Sequence, residues 1–175
     1  STPVARQNQM LRDDQSGITV PIGFTSETTG GPQGYKTVLT ANYTLPAIAG
    51  GASLGVGRKC LSLPAGERLV TGSTMSMAIK QTQGNITADT PDVGLGTTIA
   101  SGAVALLSGT AAFENILTGQ TATDCNGTAI VATVTTNLAI ATAASHDIFF
   151  NVADDWASSG DAAAAISGTI TIWWR

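Results

Sequence analysis

His146, the one histidine in the chain, stands between Ser145 and Asp147. Together these residue types can supply a nucleophile, its base and an orienting acid. Hydrolytic chemistry also demands a buried acid behind the imidazole and an oxyanion hole in fixed geometry. Residues 147–152 read as a β-strand, where successive side chains point to opposite faces, so the three groups cannot converge. Zinc wants four ligands, commonly in close pairs, and a lone histidine with the distant Cys60 and Cys125 does not supply them. Asp154-Asp155, with Asp161 after Ser158-Ser159-Gly160, is the best metal candidate. Calcium takes six to eight oxygens from a loop, and this spacing does not follow the EF-hand pattern, so a solvated or turn-capping loop is expected. Gly94-x-Gly96 has neither a third glycine in register nor a following helix, and is no dinucleotide fingerprint. The expectation is a chain with no catalytic, cofactor-binding or metal-ligating residues: not an enzyme.

The elements that would have to position such groups are strands. Ile166, Gly168, Ile170, Ile172 and Trp174 share one face of a segment whose other face carries Ser167, Thr169, Thr171 and Trp173. Period-two alternation of β-branched and aromatic residues marks a half-buried strand. Tryptophans held among the last three residues place the end of the chain inside a sheet. Further strands are expected over 37–45, 53–63, 67–83 and 128–140, with short ones at 93–98 and 103–107. In the strand over 67–83, Leu69, Thr71, Ser73, Met75, Met77 and Ile79 fall on one face, and the methionines read as core filling. Residues 84–92 and 119–127 read as loops, 110–117 as a helical turn or two, and Ala162–Ala165 as a short helix or tight crossing. Seven to nine strands with regular turn signals give an all-β fold, a jelly-roll or Greek-key β-sandwich over residues 36–175.

Residues 1–35 differ in character. Pro21, Pro32 and five glycines interrupt a stretch that still holds Ile18, Val20, Ile22 and Phe24. It is too apolar for a linker and too irregular for a helix, and reads as an extended N-terminal arm ordered by what it lies against. Those four residues, with Tyr35 and Trp173, are the expected interface residues.

Only 11 % of the 175 residues are charged, against about 25 % in ordinary soluble domains. A surface so poor in charge suits a chain largely covered by others. Seven of the eight basic residues precede Gln81, and eight of the twelve acids follow it. The second half therefore cannot hold nucleic acid, which needs clustered Lys and Arg. There is no apolar run near 18 residues and hence no expected membrane span. No signal peptide is visible, and Ser1 at the start fits removal of an initiator methionine. Two buried free thiols is the plainer reading of Cys60 and Cys125, with a disulfide left as the alternative. Three Asn-x-Thr patterns, at Asn42, Asn85 and Asn126, read as chance in a Thr-rich chain.

Three segments in order carry a family likeness: Ser62–Val70 with its Pro64-Ala65-Gly66 turn, Val93-Gly94-Leu95-Gly96-Thr97-Thr98, and Ser167–Trp174. Across roughly residues 50–175 the chain resembles the jelly-roll decoration (cement) proteins of tailed double-stranded DNA bacteriophage heads. The resemblance implies a structural virion protein without catalytic residues or cofactors. It would be made in the host cytoplasm and seated as a homotrimer on the outer surface of the capsid, bridging neighbouring major capsid protein subunits. The rivals are a carbohydrate- or receptor-binding β-sandwich of a phage head or tail fibre, using an exposed tryptophan and the 153–161 loop, and, last, a small hydrolase.

Overall fold

The computed structural model describes residues 17–31, 33–45, 47–142 and 146–175; Ser145 and residues 1–16 of the expected arm lie outside them. Ten strands form two five-stranded antiparallel sheets. In chain order they are β1 (Phe24–Gly31), β2 (Gly34–Thr44), β3 (Ser53–Leu63), β4 (Gly66–Gln83), β5 (Asp92–Gly96), β6 (Ser101–Gly102), β7 (Leu117–Thr121), β8 (Asn126–Thr142), β9 (His146–Asp155) and β10 (Ala163–Trp174). The first sheet runs β1-β2-β10-β4-β8 and the second β6-β3-β9-β5-β7. The sandwich expected from the alternation is therefore the fold, and the connections β2–β3, β3–β4, β4–β5, β7–β8, β8–β9 and β9–β10 all pass from one sheet to the other.

The strand with the cleanest alternation, β10, lies at the centre of the first sheet between β2 and β4. Ile166, Ile170, Ile172 and Trp174 are fully buried on its inner face. They meet Leu39 of β2, Met75, Met77 and Ile79 of β4, and the inner residues Leu61, Ile148, Phe150 and Val152 of the opposite sheet in one core. Each such side chain gains about 1.5–3 kcal/mol from leaving water. Gly168 interrupts the row because β10 and β4 approach too closely there for a side chain. Its φ is +137°, and a Cβ would collide with the Ser76 carbonyl oxygen and lie 2.8 Å from Met77 Cα.

Two bulges set which side chains are buried, and the first revises the face expected for residues 67–83. Between Val70 and Gly72 the pairing of β4 slips, so Val70 is buried while Leu69 and Thr71 are only half-buried. A second slip between Lys59 and Leu61 of β3 buries Cys60 together with its neighbours Leu61, Ser62 and Leu63. Both cysteines are free and buried, which settles the open alternative against a disulfide.

The irregular middle of the chain differs most from its expected layout. Residues 103–107 are not a strand; the pairing there is the two-residue β6, followed by single 3-10 turns at Leu107–Gly109 and Ala111–Phe113. The expected loop at 119–127 begins with β7, and the Ala162–Ala165 run is no helix but the entry into β10. Within the expected arm, β1 pairs with β2 from Phe24↔Ala41 to Gly31↔Gly34, and Thr19 bridges to Ser62. Fully buried Asn151 of β9 holds the irregular stretch down. Its Oδ1 accepts from Ala100 N at 2.9 Å, and its Nδ2 donates to the carbonyls of Thr98 and Phe113, each at 2.9 Å.

Gly168→Ala should lower stability by about 3 kcal/mol through strain and collision, read as a fall in the urea midpoint. Asn151→Ala leaves three backbone groups without partners and should cost about as much. It should also speed amide exchange selectively over residues 97–114.

Candidate interaction surfaces

Of the residues singled out for chemistry, Ser145 lies outside the described residues. His146 is buried with Nε2 2.6 Å from the Gly66 carbonyl oxygen, while the Asp147 carboxylate on the other face accepts from Ser62 Oγ at 2.5 Å and lies 4.0 Å from Lys59 Nζ. The imidazole and the carboxylate do not meet. Among the described residues no cluster of His, Cys, Asp or Glu is arranged to hold a metal ion.

What the fold does bring together is a preponderance of one sign of charge at each end of β10, although Glu67 stands at the first end and Lys80, paired with Ala165, at the second. At the Trp174 end, Tyr35 stacks on Trp174 with centroids 4.5 Å apart and planes 21° off parallel. Trp174 Nε1 donates to Thr37 Oγ1 at 2.9 Å. The Arg68 guanidinium sits 5.8 Å above the Trp174 ring, and Lys36 Nζ lies 5.9 Å from that of Trp173. Arg175 is fixed beside them by paired backbone bonds with Leu69 of 2.7 and 2.9 Å. Lys36, Trp173, Trp174 and Arg175 line an open hollow of about 290 Å³. Of these cations none makes an ion pair with a described carboxylate, though Glu67 stands nearby.

At the other end, about 36 Å away along the strand, the sign reverses. Asp89, Asp124 and Asp154 surround the buried Cys125, and burial followed by these carboxylates pushes its thiol up to about 12. Burial first, then Asp89 and Asp155, holds Asp154 above the usual carboxylate range. Asp89 Oδ2 accepts from Ala157 N at 2.9 Å. Asp154 and Asp155 were legible as an acidic pair, but Asp89 and Asp124 were not; only the return of β4 and β8 to this end gathers them.

Between the ends, the outer face of the first sheet is a lattice of hydroxyls. The registers put Thr25, Thr40, Thr169, Ser76 and Val131 in one row across five strands. Glu27, Val38, Thr171, Thr74 and Thr133 form the next, with rows about 7 Å apart and strands about 4.8 Å apart. Val131 is 71 % exposed on this face.

The expected interface residues fall in three places. Tyr35 and Trp173 join the cationic end as half-buried rings. Ile18 and Val20 are half-buried against the core, and Phe24 is buried against Tyr43 with centroids 5.2 Å apart. Ile22, at 92 % exposure, stands clear of the protein. Its carbonyl oxygen accepts from Arg58 Nη2 at 2.6 Å, and that guanidinium lies 4.8 Å over the Tyr43 ring. The Tyr43 hydroxyl is buried without a partner among the described residues, and burial above all drives its pKa far upward.

No family model and no curated protein matches the chain. Among solved structures, it resembles an arabinose-bound GH51 α-L-arabinofuranosidase at 13 % identity and a TM-score of 0.36, covering 91 % of this chain but 24 % of that one. A chain of the cyanophage Pam1 capsid asymmetric unit matches at 19 % identity and a TM-score of 0.34, covering 85 % of this chain and 91 % of that one. Infectious bursal disease virus, Gx strain, matches at 13 % identity and 0.33, covering 81 % and 32 %. At these scores none of the three likenesses carries a functional argument.

The fold holds both cysteines as neutral thiols, Cys60 also being pushed up to about 12 by burial. Their stabilisation is complete below the ordinary thiol value of 9.0 and is lost as pH rises toward 12, because only the unfolded chain ionises there. Denaturant titrations should therefore show stability falling across pH 9–12. A thiol reagent at pH 8 should label neither cysteine until the chain is unfolded. Rapid labelling of the folded protein would contradict this burial.

Proposed function

We infer that the chain is a structural, non-catalytic virion component: a jelly-roll sandwich that decorates the outer surface of a bacteriophage capsid and bridges neighbouring major capsid protein subunits. The strand orders β2-β10-β4-β8 and β3-β9-β5-β7, with crossings between them, support the jelly roll. The observation that carries the functional reading is the outer face of the first sheet. Across the two hydroxyl rows traced above, ten residues include one charge, Glu27. Such a face loses little hydration when a neighbour covers it, whereas each buried unpaired charge would cost several kcal/mol.

The separated end charges supply orientation. Lys36, Arg68 and Arg175 favour contact with an acidic surface, and the aspartate end is repelled from it. Decoration would then be polar, with the aromatic, cationic end toward the shell. The family resemblance implies a homo-oligomer, commonly a trimer, at three-fold or quasi-three-fold positions of the particle. A sugar platform combining Trp173 with the 153–161 segment has no support from the geometry, because these stand at opposite ends of β10.

Heads lacking the protein, mixed with the purified chain and sedimented, should bind it at saturating, lattice-limited stoichiometry. Lys36→Glu with Arg175→Glu should weaken that binding at least tenfold, about 1.4 kcal/mol, and the wild-type affinity should fall as salt rises. A chain that does not sediment with heads, or turns over a substrate instead, contradicts the reading.

A further inference from the structure

We propose that β8 is a seam along which a second copy of this chain adds its own β8, antiparallel, about a two-fold axis. This goes beyond shell binding and is a contact separate from any three-fold association.

The sandwich has four sheet edges: β1, β8, β6 and β7. Edge strands leave every second residue's N–H and C=O unpaired, and proteins guard them with charge, proline, brevity or a cover. Three of these edges are guarded. β6 has two residues and β7 five, while the eight-residue β1 carries Glu27 and runs into Pro32. β8 has none of these devices. Its 17 residues, NGTAIVATVTTNLAIAT, contain no charge and no proline, and the one glycine lies at the start. Among the described residues its only ladder partner is β4.

A second copy is the occupant that this edge fits. An antiparallel pair of identical strands about a dyad is self-complementary, each residue i meeting j while j meets i. The absence of charge removes the like-charge repulsion that identical edges otherwise bring together. A strand of 17 residues is about 58 Å long and a sheet layer about 10 Å thick. Pairing two such edges therefore covers on the order of 1,000 Å² in total, near the lower bound of stable interfaces. The inner face adds apolar area: Val134, Leu138 and Ile140 are half-buried at the rim of the core. Opposite them β7 reaches only from Leu117 to Thr121, so these side chains are what the partner's β8 would cover.

The test uses the full chain free of heads, by sedimentation equilibrium and amide hydrogen exchange. Pairing predicts an even multiple of the 17.7 kDa chain mass, with amides of residues 129–139 exchanging about a hundredfold more slowly than an open edge allows. Val131→Lys and Thr133→Lys place charges on exposed positions of β8. Each should keep the wild-type circular dichroism and melting temperature, halve the mass and release the protected amides. A single-chain mass, or an odd-numbered assembly that survives both lysines, overturns the proposal. So does edge protection that vanishes on deleting residues 1–16 without a change of mass, because the chain's own start would then be the cover. Protection that appears only on heads assigns the edge to the shell and likewise overturns it, leaving the head-binding assay to judge the decoration role by itself.

Discussion

The close apposition of β10 to its two neighbours is the constraint on which everything else rests. This strand, taken from the end of the chain, is hydrogen-bonded on one side to β2 and on the other to β4. Its inner side chains fill the middle of the core. The approach is tight enough that Gly168 accepts a conformation closed to other residues. A core completed by residues 163–174 rests on contacts of long sequence separation, the kind that make β-sandwiches slow to fold. The same packing draws Tyr35, Arg68 and Arg175 around Trp174, so the cationic end is a product of the core's geometry.

Economy of charge is the second theme. A sandwich has two outer faces, and ordinary proteins keep them wet with lysine and glutamate. Here threonine and serine take those places on the first sheet, satisfying β-propensity while holding few water molecules as tightly as ions do. Of the charges that remain, Lys36, Arg68 and Arg175 gather at one end of β10 and Asp89, Asp124, Asp154 and Asp155 at the other. That sorting gives a molecule with a direction, and a directed, weakly hydrated block is well suited to lie in a shell of other chains.

Much of this was legible in the sequence, for physical reasons that differ by segment. β8 and β10 announce themselves because their two faces differ in burial, so the period of two survives in the residue types. The interior of β4 was legible except at its bulge, where an extra residue changes faces with no sign in composition. The stretch 97–121 was poorly legible because its order comes from Asn151, one side chain on a distant strand, and not from any local propensity. Leu117–Thr121 was missed because a five-residue edge strand with Gly119 in it looks like a turn. The acidic end was half visible as Asp154-Asp155, and the rest depended on which loops the sandwich closes together. Phe24 looked like part of an arm, since the glycines and prolines around it hide the alternation of β1.

The most direct measurement of the central claim is the temperature at which heads release their DNA, with and without this chain bound. If the protein braces the shell, saturating it on heads that lack it should raise that temperature by several degrees, in proportion to occupancy. The same release temperature at full occupancy would mean that the chain rides on the particle without holding it together.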